Sequence, residues 1–110
     1  LEHLIRQSLD ANKAENIVSV NLAGKSDFAD SMVIANGTSQ RHVGSLADRV
    51  VAALKSVGFE HILVEGKESC DWVLVDAGDV VVHIFRPEVR NYYNLEKMWS
   101  VNLPQLEAAY

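Results

Sequence analysis

The chain has 110 residues, of which 48% are hydrophobic and 23% charged, and its formal net charge is −5. This composition is typical of one globular domain, here residues 1–110, and excludes a disordered or collagen-like chain. The acidic balance disfavours direct, sequence-specific binding of nucleic acid, because phosphate contacts normally require an excess of lysine and arginine.

Hydrophobic periodicity predicts a short helix and two strands in the first third of the chain. Apolar residues recur at helical spacing over residues 1–13, whereas β-branched residues cluster in the two segments that follow. The predicted strands cover residues 16–22 and 31–35, and the second ends at the turn signal Asn36-Gly37.

The second predicted helix has the clearest signals. Thr38 or Ser39 can cap its start, and Gly58 lies just past its end. Its apolar positions form one stripe that should cover a face of a sheet, namely Val43, Leu46, Ala47, Val50, Val51, Leu54 and Val57.

Three further strands and a last helix complete the predicted order, αββαβββα. The strands cover residues 61–64, 72–76 and 79–85, and Pro87 suits the first position of the helix. We therefore predict an α/β fold with a mixed five-stranded sheet and helices over one face.

The hairpin of the last two strands has the most informative pattern. A two-residue turn at Ala77-Gly78 would separate an apolar face from a mixed one, since cross-strand partners share a face. The predicted pairs are Asp76 with Asp79, Leu74 with Val81, and Trp72 with His83. A three-residue loop with a bulge would instead put two of these polar side chains among valines, which the cost of burying charge opposes. The apolar face would carry Val73, Val75, Val80, Val82 and Ile84.

The mixed face of this hairpin has two interpretations. Aromatic anchors surrounded by polar groups are typical of a protein-binding hot spot. Alternatively, Trp72 and Val81 lie under the last helix as ordinary core. Trp99 near the C-terminus has the same two interpretations.

The chain shows few signals of catalytic or metal chemistry. Asp76 and Asp79 flank a turn instead of sharing a strand face, so they do not form the usual metal-binding pair. The four histidines have no zinc-ligand spacing to each other or to the cysteine, and Gly37 opens a helix without a phosphate-binding loop pattern. We expect no catalytic residue, cofactor or metal.

The compartment is suggested by the single cysteine. Cys70 cannot form an internal disulfide, which fits a reducing compartment. The first residues lack the features of a secretory signal, and no apolar run reaches about 20 residues, the length of a membrane span. We expect a cytoplasmic protein that makes no membrane contact, and we favour the cytoplasm of a bacterium over the matrix of an organelle.

An ordered set of motifs extends over nearly the whole chain, at residues 37–48, 64–66, 71–93, 95–96 and 99, with Lys25-Ser26 and Asp30 in the first loop. The most specific of them are an Asp-Trp pair, an Asp-x-Gly-Asp-Val-x-Val-His hairpin and an Arg-x-x-Tyr-x-Leu-Glu-x-x-Trp tail. Together these motifs resemble those of the ribosomal silencing factor family, also called Iojap-related.

The resemblance implies a non-catalytic factor that represses translation. It would bind a large-subunit ribosomal protein, number fourteen, and block association of the two ribosomal subunits by occupying the surface between them. It also implies a nucleotidyltransferase-like fold and a homodimer. We expect Trp72 and Leu74 to be anchors and Asp76, Asp79 and His83 to be polar contacts. A second tier of contacts would comprise Tyr92, Tyr93, Glu96 and Trp99.

Two other function classes stay open at this point. A nucleotidyltransferase-like enzyme would need carboxylates that converge in a pocket with a metal and a nucleotide. A self-associating structural protein would bury the Trp72 face against a second copy.

Overall fold

A computed structural model describes residues 1–24 and 29–89, which contain two helices and five strands. The elements are α1 (Glu2–Ala11), β1 (Glu15–Asn21), β2 (Ser31–Asn36), α2 (Gln40–Ser56), β3 (Leu63–Glu65), β4 (Trp72–Asp76) and β5 (Val80–Phe85). The predicted order is confirmed through β5. Residues 87–89 are helical, and the rest of the predicted last helix lies outside the described residues.

The five strands form one mixed sheet in the order β1-β2-β5-β4-β3. β2 and β5 pair in parallel, while every other pair is antiparallel. Each residue of these two central strands is buried. The mixed five-stranded α/β fold predicted from the sequence is therefore confirmed.

Both helices lie over one face of the sheet, which we call the inner face. Its side chains from β2, β4 and β5 pack against Ile5 and Leu9 of α1 and against the apolar stripe of α2. That stripe is confirmed except at Val57, which is 58% exposed because α2 ends at the preceding residue. Neither described helix has the length and apolarity needed to cross a membrane.

The two ends of α2 match the predicted signals. Ser39 is the N-cap, and its hydroxyl accepts a hydrogen bond of 3.1 Å from the backbone N–H of His42. At the other end, Gly58 has φ +99°, a left-handed conformation that favours glycine, and its N–H donates to the carbonyl of Lys55.

The predicted register of the β4–β5 hairpin is wrong by two residues. The observed pairs include Trp72 with Phe85, Leu74 with His83, and Asp76 with Val81. The turn lies one residue later than expected because the Asp76 carboxylate accepts a 2.9 Å hydrogen bond from the N–H of Gly78, whose φ is +88°. Since the shift is an even number, the side chains keep their predicted faces.

Gly66, between β3 and β4, closely approaches the backbone of Trp72, and a substitution can test this contact. Its φ is +90°, and an added Cβ would lie 2.1 Å from the carbonyl oxygen of Trp72. We expect Gly66→Ala to lower the free energy of unfolding by about 3 kcal/mol, combining left-handed strain with backbone displacement. Gly58→Ala, where a Cβ meets open space, should lower it by only about 1 kcal/mol, from left-handed strain alone. Urea denaturation measures both, and equal losses would contradict the close approach.

Candidate protein-binding surface

The face of the sheet opposite the helices, the outer face, divides into a buried half and an accessible half. On the central strands, Met32, Ile34, Val81 and Phe85 are at most 5% exposed and form a second apolar cluster. Toward β4 and β3 the side chains become half-buried and then exposed. On the mixed face, Val81 is therefore part of the core and Trp72 is only half-buried, and the role of Trp72 as a binding anchor stays a prediction.

On β3 and β4, the accessible half comprises five side chains, which we call the edge patch: Leu63, Glu65, Trp72, Leu74 and Asp76. In the β3–β4 ladder Leu63 lies opposite Asp76 and Glu65 opposite Leu74, so apolar and acidic groups alternate on one face. Leu63 is 67% exposed. Leu63 and Glu65 are not among the contacts predicted from the sequence, although the cross-strand alternation used for the β4–β5 hairpin would have placed them on this face.

Acidic residues are concentrated in the segment that contains most of the edge patch. Residues 60–79 contain six carboxylates and one basic residue, Lys67. The ammonium group of Lys67 pairs with Asp48 of α2 and so offsets little of the negative charge of this segment. The exposed carboxylates in this segment are those of Glu60, Glu65, Glu68 and Asp79.

Trp72 is held by two neighbours on β5. Its indole Nε1 donates a 2.9 Å hydrogen bond to Nδ1 of His83. The indole also packs against the ring of Phe85, with the ring centroids 4.9 Å apart. One part of the indole is therefore anchored in the second cluster while the side chain stays only half-buried.

His83 lies in the core and not on the surface. Its side chain is 1% exposed and stacks on Phe85, with the ring planes 7° apart. Burial lowers the pKa of His83 to about 4, so the imidazole is neutral near pH 7. Since Nδ1 accepts the indole hydrogen, the imidazole proton resides on Nε2. The expectation that His83 is a polar contact for a partner is thus revised, because the central position of β5 buries it.

The lowered pKa predicts a pH-dependent stability. An unfolded histidine binds a proton near pH 6.5, and folded His83 does so only near pH 4, so the folded state loses stability as pH falls between these values. We expect the free energy of unfolding to drop by about 2 kcal/mol between pH 7 and pH 5 from this group. Urea denaturation at several pH values measures it. His83→Leu should remove this contribution and His61→Gln, at an exposed site, should keep it; an unchanged pH dependence in His83→Leu would contradict the assignment.

Asp71 fixes the entry of the chain into β4. Its carboxylate oxygen Oδ1 lies 2.8 Å from Nε of Arg86 and accepts a 3.1 Å hydrogen bond from the Gln40 amide. Its carbonyl also accepts from the N–H of Arg86. These contacts join the start of β4, the end of β5 and the first turn of α2. They therefore fix the position of Trp72, the first residue of β4.

The remaining predicted residues are placed as follows. Asp76 is half-buried and caps the turn, and Asp79 is exposed within it. Within residues 1–24 and 29–89, no group of three or more histidine, cysteine or acidic side chains could hold a metal ion. The predicted contacts Tyr92, Tyr93, Glu96 and Trp99 lie outside the described residues.

The family to which the chain belongs follows from its similarity to known proteins. A sequence model described as "Ribosomal silencing factor during starvation" matches residues 2–109. The chain belongs to this family. The resemblance noted from its motifs is confirmed, and the family description indicates a role in ribosome silencing. The nucleotidyltransferase-like label for the fold stays a prediction.

Individual relatives agree with this assignment. A ribosomal silencing factor of Zymomonas mobilis is 48% identical over 97 residues, which cover 88% of this chain and 73% of that protein. A crystal structure from Chromobacterium violaceum has a TM-score of 0.87 and 39% identity, covering 90% of this chain and 82% of that one. A mouse protein, 34% identical over 92% of this chain and 44% of its own length, is named "Mitochondrial assembly of ribosomal large subunit protein 1".

Proposed function

We propose that this ribosomal silencing factor binds the large ribosomal subunit through ribosomal protein fourteen and sterically blocks subunit association, which represses translation in the bacterial cytoplasm. The observation that carries the proposal is the edge patch, where apolar side chains alternate with carboxylates. The family assignment supports the ribosome as the partner, and the name of the mouse relative refers to the large subunit.

The composition of the edge patch suits a basic protein partner. Trp72, Leu74 and Leu63 offer apolar area that a partner can bury, and a central tryptophan is a frequent hot spot. The carboxylates around them would steer a positively charged surface toward the patch and fix its orientation. Ribosomal proteins are usually basic, so charge and burial are complementary.

The proposed mechanism is steric and needs no chemistry. The described part of the chain measures 32 × 32 × 22 Å. A body of this size on the intersubunit surface of the large subunit would prevent the small subunit from docking. The second tier of proposed contacts, Tyr92, Tyr93, Glu96 and Trp99, belongs to the same interface in this proposal. A homodimer that used the edge patch would compete with the ribosome for it.

Truncation of the anchors tests the proposal. We expect Trp72→Ala to weaken binding to isolated large subunits by about 2 kcal/mol or more, because it removes the largest apolar group of the patch. Leu74→Ala should also weaken binding, and it leaves the hydrogen bond between Trp72 and His83 in place. Co-sedimentation with separated large and small subunits measures binding, and circular dichroism checks folding. Normal binding by both folded variants would place the interface elsewhere.

A matched pair of charge reversals tests whether acidic side chains of the edge patch contribute to binding. Glu65→Lys and Asp10→Lys each change the net charge by two, but Glu65 lies in the edge patch and Asp10 is exposed on α1, across the sheet. We expect only Glu65→Lys to reduce affinity for the large subunit, by about tenfold, and to weaken its salt dependence. Equal losses in the two variants would show that net charge, and not this surface, controls binding.

A further inference from the structure

Trp72 is a large side chain that is only half-buried, so its orientation needs support. A tryptophan on an open surface samples several rotamers, and ordering them on binding lowers affinity. Here the indole N–H donates to Nδ1 of His83 over 2.9 Å, and Phe85 contacts the ring from the same strand. The indole is therefore held against the sheet in the unbound protein.

His83 is unusual for its strand. The other five side chains of β5 are apolar, and every residue of the strand is buried. A polar group at such a place lowers stability unless it forms hydrogen bonds, and valine or leucine would fill the position without that requirement. The imidazole instead presents a neutral acceptor to an indole that is reachable from outside.

We infer that His83 is a positioning residue, which holds the indole of Trp72 in its binding orientation without contacting the partner itself. The inference rests on the proposed function, since it concerns the same interface. It replaces the direct contact expected from the sequence with an indirect role. The shared contact of both rings with Phe85 restricts the geometry further, with His83 and Phe85 stacked and their centroids 5.9 Å apart.

The test uses variants of His83 that separate the acceptor from the packing. His83→Leu fills the position with an apolar side chain and removes the hydrogen-bond acceptor. His83→Asn places an amide oxygen at the position of Nδ1 and should restore it. Two quantities are measured: the indole N–H resonance of Trp72 in the free protein, assigned by its absence in Trp72→Phe, and the dissociation constant for isolated large ribosomal subunits.

We expect His83→Leu to shift the indole N–H resonance and to weaken binding about fivefold. In His83→Asn, the resonance and the affinity should return most of the way to their wild-type values. In a Trp72→Phe background, which has no indole donor, His83→Leu should cause no further loss of affinity. This non-additivity and the rescue by asparagine distinguish positioning from a general effect on stability.

Three results would overturn the inference: an unchanged indole resonance in folded His83→Leu, a shifted resonance with unchanged affinity, or losses that multiply in the double variant. If the wild type fails to bind large subunits, the proposed function fails and the inference falls with it. The two failures are distinguishable, because the resonances are recorded without ribosomes.

Discussion

The parallel pairing of β2 with β5 is the constraint on which the rest of the fold depends. Six residue pairs, from Ser31–Val80 to Asn36–Phe85, join segments that lie about 50 residues apart in the chain. Two parallel strands require a crossover connection, and here α2 and the strands β3 and β4 lie within it. Because β5 lies between β2 and β4, the hairpin is oriented with β4 and β3 toward one edge and its last strand in the centre.

This position gives the two strands of one hairpin opposite environments. On the outer face, β5 contributes to a buried cluster, while β4 and β3 present half-buried and exposed side chains. His83 and Trp72 lie on the same face, yet one is core and the other reaches the surface. The hydrogen bond between them crosses this boundary and connects the interior of the sheet to the proposed interface.

Local signals in the sequence predicted much of the fold, and non-local ones were missing. The caps of α2, its apolar stripe and the face alternation of β4 and β5 depend on neighbouring residues, and the structure confirms them apart from Val57. The strand order depends on the pairing of distant segments, which periodicity does not encode. The hairpin register was wrong because the Asp76 carboxylate sets the turn through a specific hydrogen bond. Burial of His83 follows from the central place of β5, so it was missed for the same reason as the strand order.

The two edges of the sheet have a further consequence, for association of the protein with itself. β3 is only three residues long, carries the charge of Glu65 and is followed by Gly66 in a left-handed conformation. At the other edge, the register of β1 shifts between Glu15 and Val18, with Asn16 at φ +51°. Short, charged or irregular edges resist the addition of further strands. The sheet can therefore display an exposed leucine at its margin without offering a template for growth into fibrils.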